Sequence, residues 1–131
     1  MRRLPLLAMA LVAAPAFAVG LGPLKKERVT DGAAKGFWLS VSNSERTART
    51  ILLTGKSIDA ETVEDRVVII PNRMLIAPER TRRVLVMARS LNPNERSTFR
   101  VCAETPPDAK ETIHARVCSK LTARRVAAAA R

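Results

Sequence analysis

Phe37-Trp38-Leu39-Ser40-Val41-Ser42-Asn43 decides the fold class. Its period is two: Phe37, Leu39 and Val41 share one face of an extended chain, and Trp38 and Ser40 share the other. We read Trp38 by default as a core-filling indole rather than a ligand-stacking one. The same period recurs downstream. Ile51-Leu52-Leu53 runs up to Gly55, and Val67-Val68-Ile69-Ile70 is β-branched and stops at Pro71. Met74-Leu75-Ile76 ends at a turn signal, Ala77-Pro78-Glu79, and Arg83-Val84-Leu85-Val86-Met87 follows. In residues 97–103, Phe99, Val101 and Ala103 oppose Thr98, Arg100 and Cys102. Ile113, Ala115 and Val117 then alternate with His114, Arg116 and Cys118. About seven short strands, spaced roughly ten residues apart and without a strong helical segment, predict an all-β, seven-stranded β-sandwich in a single domain.

Residues 1–18 read as a secretory signal. Arg2 and Arg3 form a positive start, residues 4–14 are apolar, and Ala16-Phe17-Ala18 is a small-residue cleavage site. The apolar run is far short of the roughly 20 residues of a membrane-spanning helix, and charges interrupt every later one. We expect an exported protein with no membrane span, cleaved near Ala18. A domain over residues 19–121 would be followed by a flexible basic and Ala-rich tail over 122–131. Loss of Arg2 and Arg3 lowers the formal net charge from +11 to +9.

Export decides how the two cysteines read. In an oxidising compartment Cys102 and Cys118 pair, whereas metal binding or thiol catalysis is the cytosolic alternative. The pair would close a loop of about 15 residues, worth on the order of 3 kcal/mol by chain entropy. The two positions are symmetric about residue 110. A hairpin of the last two strands, turning after Pro106-Pro107, would set them opposite each other.

Catalysis lacks its usual signatures. His114 is the only histidine, and there is no G-x-S-x-G, Walker A or dinucleotide glycine pattern. We expect neither an enzyme nor a metal or cofactor. Asp59, Glu61, Glu64 and Asp65 read as a solvated loop. The positive charge, with clusters at Arg80, Arg82, Arg83 and at Arg124, Arg125, favours acidic partners. With 3 Phe, 1 Trp and no Tyr, a stacking surface for nucleic acid is not expected.

Leu91-Asn92-Pro93-Asn94-Glu95-Arg96-Ser97-Thr98-Phe99 resembles the Leu-Pro-x-Asp-Arg-Glu-Ser-x-Phe signature of the N-terminal immunoglobulin-like domain of periplasmic pilus (fimbrial) assembly chaperones. Ile76-Ala77-Pro78 with Val84-Leu85-Val86 is similar to that family's Leu-x-Pro turn and following strand. Pro106-Pro107 matches its Pro-Pro after the sixth strand. Asp31-Gly32 and Leu39-Ser40-Val41-Ser42-Asn43 fit its first hairpin. The likeness runs over most of residues 21–126, and family members normally carry a second such domain.

The resemblance implies an immunoglobulin-like sandwich with a disulfide between the sixth and seventh strands, as in one branch of the family. It implies a periplasmic partner of pilus or fimbrial subunits, with an outer-membrane usher as a further partner and a role in cell wall organization. Such a chaperone lends its last strand to an incomplete subunit fold by β-strand addition. Here that strand is residues 112–121. Ile113, Ala115 and Val117 face either the subunit's groove or the domain's own core. Lys120 and Arg28 stand as the cations for the subunit's terminal carboxylate, or else as solvated surface charges. The alternative function is a secreted immunoglobulin-like module that binds anionic surfaces or partners without chaperone activity.

Overall fold

The computed structural model describes residues 19–106 and 116–127. Residues 1–18, the expected signal segment, together with Ile113, His114, Ala115 and the last four residues, lie outside the described residues. Nine strand segments are present among those described: β1 Val19–Gly22, β2 Lys25–Thr30, β3 Lys35–Asn43, β4 Arg49–Ser57, β5 Val67–Ile70, β6 Arg73–Ile76, β7 Arg80–Ala88, β8 Arg96–Glu104 and β9 Arg116–Arg125. They form two sheets, ordered β1-β3-β7-β5 and β2-β9-β8-β4-β6.

Nine segments reduce to the expected seven strands because two strands change sheet partway along. β1 pairs with β3 in the first sheet, whereas β2 pairs with β9 in the second. β5 pairs with β7 and β6 with β4, again in opposite sheets. Pro23 stands at one crossing and Pro71 at the other. A proline has no N–H to give a ladder, so the chain leaves one sheet there and enters the next.

The core lies where the alternation puts it. Phe37, Leu39 and Val41 from the first sheet meet Phe99, Val101 and Ala103 from the second, all buried. The Phe37 and Phe99 rings pack edge to face across the two sheets, centroids 6.1 Å apart. Trp38 departs from the expectation. Its parity turns it outward, where it is 50% exposed, and the Arg83 guanidinium stacks 4.7 Å from its ring centroid. Asp31-Gly32 joins β2 to β3 across the two sheets, so it is an inter-sheet turn and not a hairpin within one ladder.

The turns of the sequence signatures have visible causes. Pro78 and Glu79 occupy the centre of a turn closed by Arg80 N–H to Ala77 O at 3.2 Å. Asn43 is buried at the end of β3. Its amide donates to Thr47 O at 2.9 Å and Ile76 O at 3.0 Å, tying β3 to the end of β6. Glu95 accepts the Asn92 backbone N–H at 2.9 Å and pairs with Arg66 at 2.9 Å. That amide, aided by Arg66, holds the Glu95 carboxyl below the usual carboxylate range. One carboxylate thus closes the turn before β8 and fastens it to the start of β5.

The last strand is longer than the sequence reading allowed. β9 continues to Arg125, and Thr122 and Ala123 are buried. Residues 122–125 therefore belong to the sheet and not to a tail. They are held between β8 and a parallel β2, a pairing that composition cannot reveal.

Candidate functional site

The two halves of β9 have different surroundings. From Lys120 onward it is paired on both sides, with β8 antiparallel and β2 parallel. Lys120 N–H donates to Leu24 O at 2.8 Å, and this bond closes the second side. Upstream, Arg116–Ser119 pair with β8 from Val101 to Glu104, and β2 does not reach them. Backbone groups alternate sides along a strand. Since the Lys120 N–H points to the β2 side, the N–H groups of Cys118 and Arg116 point the same way, toward an edge along which no described strand is paired, although β1 passes nearby and Ser119 Oγ donates to Pro23 O. An uncovered edge is a template for a further strand.

The disulfide fixes this half-open segment. Cys102 and Cys118 are register partners in β8 and β9 and are bonded, with Cα atoms 4.0 Å apart. The Cys118 N–H turns away from β8, which makes this a non-hydrogen-bonded pair, the closer of the two antiparallel spacings. The pairing expected from export and from the symmetry about residue 110 is present.

The predicted donor residues divide. Val117 is half-buried and packs against the domain's own core. For this residue the own-core alternative holds. Ile113 and Ala115 lie outside the described residues.

The predicted cations divide as well. Lys120 is exposed on the outer face of the second sheet. Its register partners are Arg100 on β8 and Lys25 on β2. Arg28 lies three positions further along, opposite the buried Ala123. Register partners share a face, so Arg28 has the inward parity and Lys120 the outward one. The cation beside Lys120 is Lys25. Nothing local in the sequence singles out Lys25, because its place beside Lys120 depends on the parallel pairing of β2 with β9.

Four strands therefore carry one row of cations: Lys25, Lys120, Arg100 and Lys56. Glu61 reaches onto this row from the loop between β4 and β5. Its carboxylate meets Arg116 at 2.8 Å, Lys56 at 3.2 Å and Arg100 at 3.2 Å. These bonds, with Arg116 foremost, hold its carboxyl down at about 2 although the side chain is 63% exposed. The loop is positioned by Arg100, which donates to Ser57 O and Ala60 O, each at 2.9 Å. Among the described residues, Lys25 and Lys120 have no side-chain partner. The sequence signal for the row was the shared outward parity of Arg100 and Lys120. Glu61 read as a solvated loop residue because its partners are distant in the chain. Among the described residues, no group of three or more His, Cys, Asp or Glu side chains is placed to hold a metal, and no helix is long and apolar enough to cross a membrane.

No protein-family model matches the sequence, and no curated protein matches it. Solved structures do. The chain is similar to the Escherichia coli chaperone DraB, at 20% identity and a TM-score of 0.66, over 83% of this chain and 55% of that one. It is similar to a chain of the Salmonella enterica complex of SafA pilin with the SafB chaperone, at 20% identity and a TM-score of 0.68, over 86% and 57%. A PapD-like domain of human CEP192 matches at 12% identity and a TM-score of 0.68, over 98% and 99%. At these identities the shared property is the fold, an immunoglobulin-like sandwich of the PapD type. The chain spans little more than half the length of the two bacterial chains, and the CEP192 domain shows that the fold also occurs outside pilus assembly.

Proposed function

We propose that this chain is a periplasmic chaperone-like protein that holds pilus or fimbrial subunits by lending them its last strand. The observation that supports the reading is the half-open β9. Arg116–Ser119 are paired on one side only, in a fold shared with chaperones of which one is solved with its pilin. A subunit strand laid along this edge would bond to backbone groups and so be held with little regard to its sequence. The segment from Lys120 onward is already paired twice, so the donor segment is residues 112–119 and not 112–121.

Ile113 and Ala115 are the side chains proposed to enter the subunit's groove, and Val117 keeps the strand seated on its own domain. Lys120 anchors the subunit's terminal carboxylate, with Lys25 in place of Arg28 as the second cation. An outer-membrane usher is the proposed receiver of the subunit. Strand pairing needs no cofactor.

The test is capture from a periplasmic extract by the tagged mature protein, washed at raised salt, with bound chains identified by mass spectrometry. A small immunoglobulin-like subunit retained in about one-to-one amount supports strand addition, which buries backbone and apolar groups and resists screening. Partners that salt removes would support the second reading, a module for anionic surfaces. The cation row on the outer face favours that alternative.

A further inference from the structure

Three cations from three strands converge on one point of the second sheet. Lys56, Arg100 and Arg116 meet there, and what they hold is a carboxylate, that of Glu61. The row continues past Arg100 to Lys120 and Lys25, which have no side-chain partners among the described residues. Glu61 therefore serves three of five neighbouring cations; the other carboxylates of this face are Glu104, opposite Arg116 in register, and Glu27, two residues from Lys25 and already paired with Arg96. Adjacent strands lie about 4.8 Å apart, so the row from Lys25 to Lys56 spans roughly 14 Å of flat surface. Such a strip is under-neutralised and attracts a ligand with several negative charges.

We infer that this face binds an acidic polypeptide segment, and that Glu61 is an internal stand-in for one of its carboxylates. The chemistry of the ligand follows from the group the protein itself places there. Glu61 shows that a carboxylate on a polypeptide reaches the Lys56, Arg100 and Arg116 groups together at hydrogen-bonding distance. A partner's Asp or Glu side chains take the free end of the row at Lys120 and Lys25 and compete with Glu61 at the other end. The contact is made by side chains on the sheet face. It does not need the backbone edge of β9 and stands whether or not that edge is lent to a subunit.

The test uses a hexaglutamate peptide amidated at its C-terminus, which has no terminal carboxylate for Lys120 to anchor. Its binding to the mature protein is measured by fluorescence anisotropy at low and raised salt. We expect binding that weakens with salt. Glu61→Gln removes the competitor and should tighten binding roughly two- to fivefold, the scale of one exposed charge pair. Lys56→Gln should weaken binding by a similar factor. It is the variant to rely on if Arg100→Gln loosens the loop that Arg100 positions. The inference is overturned if the peptide does not bind, or if Glu61→Gln binds no more tightly than the parent. It is also overturned if a hexaphosphorylated inositol binds more tightly than the peptide, since the strip would then be a phosphate site.

Discussion

Cys118 faces Cys102 across a non-hydrogen-bonded position of the β8–β9 ladder, with their Cα atoms 4.0 Å apart. This bond stands in the stretch of β9 that, among the described residues, is paired with one strand only. Replacing both cysteines with serine should destabilise the domain by about 3 kcal/mol, the chain-entropy value of a loop near 15 residues. Urea titration of the oxidised parent and the double variant measures it, as a lower midpoint with a slope equal to or steeper than the parent's, since the uncrosslinked unfolded chain exposes more surface. Partner capture should fall further than stability does, because the half-open segment loses its fastening.

Acid should weaken the fold through two carboxylates. Glu61 and Glu95 both ionise more readily in the folded chain than in a free one. A carboxyl with a lowered folded pKa stabilises the fold above its unfolded value and loses that contribution as pH falls through the folded value. For Glu61 the window runs from the unfolded 4.5 down to about 2. The thermal midpoint should therefore hold between pH 7 and 5 and fall below 4.5. Glu95→Gln should be less stable at pH 7 and show a shallower acid slope, read from melting curves at each pH.

Lys120→Ala should leave the melting temperature within a degree or two and reduce subunit capture. A charge-assisted hydrogen bond contributes about 1.5–3 kcal/mol, or roughly ten- to a hundredfold in affinity. Lys25→Ala should act in the same direction and less strongly, and Arg28→Ala should have no effect. Quantified co-purification of one subunit with the three variants checks the order. An effect of Arg28 equal to that of Lys25 would remove the face assignment drawn from the β2–β9 register.

Asn43→Ala should cost about 1–3 kcal/mol, because the buried carbonyl of Ile76 loses its donor and the part-buried bond to Thr47 O is lost with it. Denaturant unfolding measures the loss. Capture per folded molecule should be unchanged, since Asn43 lies at the end of β3 in the other sheet.

The parts of this molecule that depend on near neighbours in the chain were legible in the sequence. Phe37, Leu39 and Val41 announce their face by alternation, and the spacing of Cys102 and Cys118 about residue 110 announces their pairing. Alternation also turned Trp38 outward. The expectation of a core indole overrode it, and Arg83 on β7 is what makes the exposed position favourable. Parts that depend on which strand lies beside which were not legible. Pro23 and Pro71 mark breaks, but nothing local says that the chain resumes in the opposite sheet. Ala123 looks like the start of an alanine tail until β2 is laid beside it. Lys25 and Arg28 differ only in register, and Glu61 finds its three cations from strands up to 55 residues away in sequence.

Whether a partner strand bonds to the open edge of β9 is tested by Arg116→Pro. Proline removes the N–H that points away from β8, so the β8–β9 ladder keeps its bonds while the edge loses a donor. Arg116→Gln, which keeps the amide and removes the charge, is the control. In capture from periplasmic extract at raised salt, the parent and Arg116→Gln should retain a small subunit in about one-to-one amount, and Arg116→Pro, folded by its melting curve, should not. Equal capture by Arg116→Pro would contradict strand addition at this edge.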